Sequence, residues 1–192
     1  MKDIKILVID IGGTNIKMLA TGHFNSRKFP SGKKMTPIRM VAAARELTKD
    51  WEYDVVSIGY PGVVKKNRIL TEPHNLGQGW TSFDFRAAFG CPVRIINDAA
   101  MQALGSYRKG ILLFLGLGTG LGCAIVSEGV AIPVEAAHLS YKGGSFEHYM
   151  GKKGLARMGS VKWTHAVALA IERLKAAIHP DDVVLGGGNA KN

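Results

Sequence analysis

The sequence predicts an α/β protein built from two related halves. Short apolar runs rich in Val, Ile and Leu alternate with helical runs, which is the pattern of strands and helices packed in layers. Near residues 4–19, and again near 111–126, a strand leads into a glycine-rich turn that contains threonine, and a second strand follows. This self-similarity indicates two related halves with a cleft between them.

The first glycine turn follows an acid. Ile4 to Ile9 reads as a buried strand, and Asp10 stands directly before the pair Gly12 and Gly13. Glycines permit a tight turn and expose backbone N–H groups to a bound group, as phosphate-binding turns do. A carboxylate facing a phosphate requires a metal ion or water between them, so Asp10 is a candidate Mg²⁺ ligand through water. The alternative is a plain hairpin with Asp10 as a turn residue.

The rest of the first half predicts ligand-binding loops at strand ends. Thr36-Pro37 starts a helix, and the strand over 54–59 ends in Gly59-Tyr60-Pro61-Gly62, where α/β proteins tend to place ligands. Residues 63–80 are predicted to be irregular. Their polar side chains favour part of a binding cleft, with a plain surface loop as the alternative; they are Glu72, His74, Asn75 and Gln78.

Asn97 and Asp98 follow a strand at 92–96 and precede a helical run. An acid that opens a helix is most often an N-cap, and the helix N-terminus keeps it ionised. An ionised carboxylate is also an adequate proton acceptor in phosphoryl transfer, which depends mainly on alignment and charge stabilisation. Both roles are open for Asp98.

The second half contains two more glycine turns. Residues 116–122 follow the strand Ile111–Leu115, and they match neither the dinucleotide fingerprint, since position 121 is leucine, nor a P-loop. A helix from Ser160 to about His179 precedes a strand at 182–185 and the turn Gly186 to Asn189. A glycine turn after a strand normally opens a helix, so we expect the second domain to be truncated at its C-terminus.

Composition limits the function classes. The 192-residue chain carries a formal charge of +10, which predicts attraction to polyanions. The basic residues are dispersed without aromatic interleaving, which disfavours nucleic acid; a phosphate-rich ligand suits the glycine turns better. The two cysteines, Cys91 and Cys123, predict neither a disulfide framework nor a structural zinc site. With no spanning segment and no signal peptide, the sequence predicts a cytoplasmic protein without a membrane partner.

Several segments together resemble the ROK sugar kinases of the actin/hexokinase superfamily, most closely their polyphosphate-glucokinase branch. The matching segments fall in order over nearly the whole chain. They are the turn after Asp10, Gly59-Tyr60-Pro61-Gly62, Asn75 with Trp80, Asn97-Asp98, residues 115–122, Glu135 with His138, and residues 185–189.

The resemblance implies an α/β fold of actin/hexokinase (ribonuclease H-like) type with mixed sheets, in which residues 1–107 and 108–192 form two actin-like ATPase domains. It implies a hexokinase- or glucokinase-type transfer from polyphosphate or ATP, with Mg²⁺, to the 6-hydroxyl of glucose or a related hexose. Asp98 is then the base. The implied hexose ligands are Gly62, Asn75, Asn97, Asp98, Glu135 and His138. The implied phosphate or nucleotide ligands are Asp10, Gly12, Gly13, Thr14, Asn15, Lys17, Gly118, Thr119, Gly120, Gly186, Gly187 and Gly188.

One departure motivates an alternative function. The family usually carries glycine where this chain has Ala137, and a Cβ there would strain a turn that needs positive φ. The alternative is therefore a catalytically impaired sugar- or phosphate-binding protein of the same fold; a polyanion-binding protein is a third class. The missing C-terminal helix predicts self-association, as a homodimer. Lys33, Lys34, Lys152 and Lys153, which lie in glycine-containing segments, predict attraction to a long polyanion.

Overall fold

A computed structural model describes residues 3–191, which form two compact units with a boundary between Asp98 and Ala99. The predicted boundary, after residue 107, lies at the end of the helix that begins at Asp98. The first unit holds strands β1 to β7 and helices α1 and α2. The strands are Ile6–Ile11, Asn15–Ala20, Arg27–Pro30, Val55–Tyr60, Val64–Lys65, Arg68–Ile69 and Val93–Asn97, and the helices are Pro37–Leu47 and Phe85–Phe89.

The second unit contains helix α3 from its second residue onward and all elements that follow. Its helices α3 to α6 are Asp98–Ser106, Phe146–Met150, Lys152–Met158 and Ser160–Ile178, with a short 3₁₀ helix at Ala136–His138. Its strands β8 to β13 are Ile111–Leu117, Leu121–Ser127, Val130–Pro133, Ser140–Tyr141, Gly144–Ser145 and Asp182–Gly186. None of the helices within residues 3–191 is long and apolar enough to cross a bilayer.

Each unit is built on a mixed sheet. In the first unit the strand order is β3-β2-β1-β4-β7, with β1, β4 and β7 parallel and β2 and β3 antiparallel to their neighbours. In the second unit the order is β10-β9-β8-β13, with β8 and β13 parallel. Both sheets therefore contain the same antiparallel meander of three consecutive strands, and the predicted repetition is confirmed at the level of topology.

The alternation of side chains along the central strands explains where the cores lie. On β8, Leu113, Leu115 and Leu117 belong to one apolar cluster, together with residues of α6, whereas Leu112 and Phe114 belong to another, together with alanines of α3. Because successive strand residues point to opposite faces, one apolar strand supports helices on both sides of its sheet. The first unit has a single large cluster around β1, β4 and α1.

The prediction of irregular structure over residues 63–80 is wrong for 64–69, where β5 and β6 form a hairpin. Its turn residues, Lys66 and Asn67, have φ values of 48° and 64°, as a type I′ turn requires. Asparagine tolerates this conformation, but the usual glycine signal is missing from the sequence. Strand β3 is short and covers only Arg27–Pro30. Helices α4 and α5 were not predicted.

The side chain of Asn67 covers the outer edge of β7. Its amide donates to the carbonyl oxygen of Val93 at 3.0 Å and accepts from the N–H of Ile95 at 2.5 Å. Since β7 is the last strand of its sheet, these backbone groups have no neighbouring strand to pair with. Asn67 thus supplies the hydrogen bonds of a missing strand at the element that ends in Asn97.

We predict that Asn67→Gly destabilises the protein by about 1–3 kcal/mol, because two hydrogen bonds to β7 are lost while the positive φ remains allowed. The measurement is the urea midpoint at constant m-value. Glu128→Gly is the matched control, because Glu128 is exposed, has φ of 51° and lies in another hairpin turn. Equal midpoints for Asn67→Gly and the parent would contradict this role.

Candidate active site

The first glycine turn joins β1 to β2 and is closed by its own backbone. The N–H of Gly12 donates to the carbonyl oxygen of Asn15 at 3.1 Å, and a Cβ at Gly12 would lie 2.7 Å from that oxygen. Only glycine therefore fits at position 12. Gly13 and Thr14 are exposed at the tip of the turn. The geometry leaves backbone around Gly13 open to a bound anion, as the sequence predicts.

Ser31, which the sequence does not single out, fixes this turn from the end of β3. Its N–H donates to the carbonyl oxygen of Thr14 at 2.9 Å, and its hydroxyl donates to that of Gly12 at 2.5 Å. These bonds satisfy carbonyl groups of the turn from one side. No local pattern could have revealed them, because the partners lie 17 and 19 residues apart in the sequence.

Asp10 is the fifth residue of β1 and is partly buried. It lies opposite Lys17 on β2 and opposite Gly59 on β4. Burial raises the pKa of the Asp10 carboxyl above its ordinary value of 3.8, and the charge of Lys17 offsets only part of that rise. Within residues 3–191 the carboxylate has neither a hydrogen bond nor a salt bridge. A carboxylate held in this way is costly to the fold and available to a ligand.

The ends of β4 and β7 lie at the same edge of the sheet as the first turn, because β1, β4 and β7 are parallel. The side-chain amide of Asn97 donates to the carbonyl oxygen of Gly62 at 3.3 Å. A Cβ at Gly62 would lie 2.7 Å from Cε1 of Tyr60, so glycine is required there as well. Asp98 follows Asn97 as the first residue of α3 and is partly buried.

The loop before α2 brings one predicted hexose ligand to the first turn. Asn75 is exposed, and its Cβ lies 3.4 Å from the position that a Cβ on Gly13 would occupy. Glu72 has a structural role instead, because its carboxylate accepts the N–H groups of Gly79, Trp80 and Thr81 at 3.0–3.1 Å and the Thr81 hydroxyl at 2.8 Å. Burial raises the pKa of Glu72, but these hydrogen bonds together lower it below its ordinary value.

In the second unit the second and third glycine turns pack against each other. Because β8 and β13 are parallel, their turns leave the sheet at the same edge. The N–H of Asn189 donates to the carbonyl oxygen of Leu117 at 2.9 Å, and its side-chain amide donates to that of Gly118 at 3.0 Å. Gly187 has φ of 83°, and a Cβ there would lie 2.6 Å from the Leu117 oxygen. The predicted phosphate ligands Gly118 to Gly120 and Gly186 to Gly188 therefore form one cluster.

Two further features support the second turn. Glu147 on α4 accepts the N–H of Leu121 at 3.3 Å and would collide with a Cβ at Gly120. Gly122 lies next to α3, since a Cβ on it would be 3.0 Å from the Cβ of Ala99. Ala99 directly follows Asp98 in the chain, so within the second unit the start of α3 packs on the second glycine turn.

The predicted pair Glu135 and His138 flanks the 3₁₀ helix. Both side chains are exposed. Residues three apart in a 3₁₀ helix lie above one another, so the two share one face of this turn. The expectation of positive φ at Ala137 is wrong: Ala137 lies in the 3₁₀ helix outside the left-handed region, and its methyl group is buried in the core. The replacement of glycine is therefore accommodated without backbone strain.

Metal binding depends on which ligand side chains lie close together. Among residues 3–191, no three His, Cys, Asp or Glu side chains are grouped closely enough to hold one. Mg²⁺ does not need such a group, since it is commonly held by one or two carboxylates with water and substrate phosphates. Asp10, desolvated and without a protein partner beside a glycine turn, fits that arrangement.

A cavity of about 360 Å³ in the first unit contains none of the predicted site residues. It lies between the β5–β6 hairpin, the segment 80–86 and β7, and Arg68 and Arg86 lie at its exposed border. We take the glycine turns as the candidate site, because the predicted phosphate ligands lie on them and none of these ligands lines the cavity.

The structure thus groups the predicted residues by unit. In the first unit, Asp10, Gly62, Asn97 and the turn from Gly12 to Asn15 lie at one edge of the sheet, with Asn75 against the turn and Lys17 opposite Asp10. In the second unit, the two glycine turns form one cluster, and Glu135 and His138 lie on the segment after β10. Two hairpins with glycine turns, each at the start of a β-β-β-α-β order of elements, define the actin/hexokinase class of fold.

The chain belongs to the ROK family, whose model matches residues 6–133. It is 27% identical over 202 residues to a polyphosphate glucokinase of Mycobacterium tuberculosis, covering 94% of this chain and 76% of that protein. These findings confirm the predicted family, and the prediction of a hexokinase- or glucokinase-type phosphotransferase agrees with them.

Solved structures confirm the predicted fold. The inorganic polyphosphate/ATP-glucomannokinase of Arthrobacter sp. strain KM superimposes with a TM-score of 0.82 at 25% identity, covering 98% of this chain and 85% of that one. A ROK family glucokinase of Streptomyces griseus, in complex with glucose and AMPPNP, gives 0.75 at 19% identity, covering 96% and 83%. Because this second structure is only 19% identical in sequence, its similarity supports the fold alone.

We predict that Asp10→Asn raises the melting temperature of the ligand-free protein at pH 7. A raised carboxyl pKa means that the protonated form stabilises the fold below the ordinary value of 3.8, and this contribution is lost as the pH rises through the folded-state pKa. The gain should therefore vanish near pH 3. Melting temperatures of variant and parent from pH 3 to pH 8 measure it.

Asp182→Asn is the matched control, because Asp182 is an exposed strand acid, and its melting curve should follow the parent at every pH. A melting temperature for Asp10→Asn at or below that of the parent at pH 7 would show that Asp10 is an ordinary turn residue that supports the fold.

Proposed function

We propose that this protein is a sugar kinase that transfers the terminal phosphoryl group of polyphosphate or ATP to the 6-hydroxyl of glucose or a related hexose. One observation carries the proposal: the residue after Asp98 packs against the second glycine turn. A carboxylate at the start of α3 is thereby tied to a turn built for phosphates.

The glycine turns bind the donor in this mechanism. Their exposed backbone N–H groups face the phosphate oxygens, and glycine keeps Cβ atoms out of the contact. The two turns of the second unit contribute as one cluster, while Thr14 and Asn15 add polar groups to the turn of the first unit. Alignment of the transferred phosphoryl group with the attacking oxygen is the main requirement of phosphoryl transfer, and donor binding by these turns would serve that alignment.

Asp98 acts as the base. Its carboxylate accepts the proton of the sugar 6-hydroxyl while that oxygen forms a bond to the terminal phosphorus, and the bond from this phosphorus to the bridging oxygen of the donor breaks. In the first unit, Asn97 and Asn75 are proposed to bind sugar hydroxyls. In the second unit, Glu135 and His138 are proposed to bind them.

Mg²⁺ bound near Asp10 through water would neutralise charge on the donor phosphates. The carboxylate of Asp10 would hold the ion through its water ligands. Its burial at the side of the turn explains why a group that destabilises the ligand-free fold is present at all: a charged ligand provides the compensation that the protein itself does not supply.

The relatives support the proposal at the level of class. The Mycobacterium protein is named for transfer from polyphosphate to glucose, and the Arthrobacter structure for use of both polyphosphate and ATP. The alternative, a binding protein that lost catalysis, depended on strain at Ala137, and that strain is absent. No observation in the two units favours it over the kinase.

A cytoplasmic location and a homodimer stay predictions. Strand β13 is the edge strand of its sheet, and Leu185 on it is 41% exposed. Apolar side chains on an unpaired edge are where a second copy would bind.

We expect Asp98→Asn to lower turnover by about 10²- to 10⁴-fold, because the side chain keeps its shape and loses only the proton acceptor. Hexose affinity should stay within about tenfold of the parent, and folding should barely change, since asparagine starts a helix about as well as aspartate. The measurement is a coupled assay for glucose 6-phosphate, with ATP and polyphosphate tried separately, beside hexose binding.

Asp84→Asn is the matched control, because Asp84 caps α2 by accepting the N–H of Ala87 at 2.9 Å and lies away from the glycine turns. Its turnover should match the parent. If Asp98→Asn also stays within a few-fold of the parent, Asp98 is only a helix-starting residue and the base lies elsewhere.

The packing of α3 on the second turn gives an independent test. Gly122→Ala places two methyl groups about 3.0 Å apart, so α3 or the turn must shift. Such a displacement would misalign the reacting groups, so turnover is expected to fall by about tenfold or more. Adding Ala99→Gly to Gly122→Ala removes the clash and should restore most of the turnover. Failure of the double variant to recover, with a parent-like circular dichroism spectrum, would break the link between α3 and the turn.

A further inference from the structure

The tripeptide Gly-Lys-Lys occurs twice in the sequence, once in each unit. The two copies are Gly32-Lys33-Lys34 and Gly151-Lys152-Lys153. In the second unit the tripeptide itself, and in the first unit the residue directly before it, is tied by backbone hydrogen bonds to the glycine turn of that unit. The sequence shows the two copies, but only the structure shows that both have the same kind of neighbour.

In the first unit the connection runs through Ser31. Its N–H and hydroxyl donate to carbonyl oxygens of Thr14 and Gly12, as described above. The next residue, Gly32, accepts the N–H of Met35 at 2.8 Å, so Lys33 and Lys34 lie in a closed turn that begins directly beside the first glycine turn. Their main chain is held, and only their side chains are free to move.

In the second unit the contact is direct. The N–H of Lys152 donates to the carbonyl oxygens of Gly118 and Thr119 at 3.1 and 3.3 Å. A Cβ at Gly151 would lie 3.2 Å from the Thr119 oxygen and 2.9 Å from that of Glu147, so glycine allows the segment to approach. Lys152 is therefore hydrogen-bonded directly to the second glycine turn.

All four lysines are exposed, and none of them pairs with a carboxylate within residues 3–191. Other lysines of the chain do pair: Lys5 with Glu52, Lys49 with Glu46 and Lys175 with Glu172. The nearest described acid at the second turn is Glu147, which accepts the N–H of Leu121. Its negative charge would repel a donor there, and the two lysines on the same segment offset it.

We propose that each Gly-Lys-Lys segment extends its glycine turn into a track for additional phosphates of a linear polyphosphate, so that these four lysines favour a phosphate chain over a nucleotide. This inference rests on the proposed function for its setting. A nucleoside triphosphate carries only three phosphates, and the turn itself can contact these. Only a longer chain has further phosphates that reach beyond the turn to two ammonium groups.

The test compares three double variants that each remove two positive charges while keeping side-chain length. Two of them are Lys33→Gln/Lys34→Gln and Lys152→Gln/Lys153→Gln. The control is Lys109→Gln/Lys162→Gln, which changes two exposed lysines without a carboxylate partner in the described chain, and neither touches a glycine turn. Direct binding is measured with inorganic polyphosphate of about 20 phosphates and with inorganic triphosphate, between 50 and 300 mM NaCl.

We expect either Gly-Lys-Lys variant to weaken polyphosphate binding about tenfold and to leave triphosphate binding within twofold. The slope of log affinity against log salt should become shallower by about 1 to 2, as expected for the loss of two ion contacts. The control should stay within twofold of the parent. In the coupled assay, the KM for polyphosphate should rise while the KM for ATP is unchanged.

An equal loss in the control would overturn the proposal, since net charge alone would then explain the binding. So would undiminished polyphosphate binding in both Gly-Lys-Lys variants, a parallel loss for triphosphate, or a parent that does not bind polyphosphate. If the parent transfers no phosphoryl group from any donor, the proposed function fails, but the binding measurements still decide whether the lysines form a phosphate track.

Discussion

The arrangement of both units depends on the pairing of parallel strands next to an antiparallel hairpin. A parallel neighbour leaves the sheet at the same edge as the strand it pairs with, so β4 and β7 deliver their ends to the turn after β1, and β13 delivers its end to the turn after β8. Register alone thus gathers residues far apart in the chain. The hairpin supplies the turn, and the parallel strands supply what surrounds it.

The cost of this arrangement is visible in backbone positions where no side chain fits. At Gly12, Gly62 and Gly187 a Cβ would lie 2.6–2.7 Å from a neighbouring atom, and the neighbour is backbone at two of these positions. Asp10 adds an electrostatic cost, because it is partly buried and has no hydrogen bond or salt bridge within residues 3–191. Close approach of bare backbone and an uncompensated charge destabilise a ligand-free fold, and both are understandable where a phosphate and its cation bind.

The donor-binding and sugar-binding chemistry also differ in how the protein supports them. The glycine turns are held by main-chain bonds from Ser31, Asn189 and Lys152, so their shape depends little on side chains that could rotate. The candidate sugar ligands Asn75, Glu135 and His138 are exposed side chains. Under the proposed function, a donor site held by main chain and exposed sugar ligands agree with relatives that are named for different hexoses.

The sequence by itself determined most strands of the two main sheets, the glycine turns and the repetition, because apolar periodicity and glycine act locally. It also placed Asp98 at the start of α3, and the ROK motifs identified the family. Only the tertiary structure showed that Glu72 accepts backbone N–H groups, that Asn67 covers the edge of β7 and that the backbone at Ala137 is unstrained. It also brought both Gly-Lys-Lys segments to glycine turns. These outcomes depend on hydrogen bonds and packing between residues distant in sequence, such as the 28 positions that separate Asn67 from Ile95, and no local pattern encodes them.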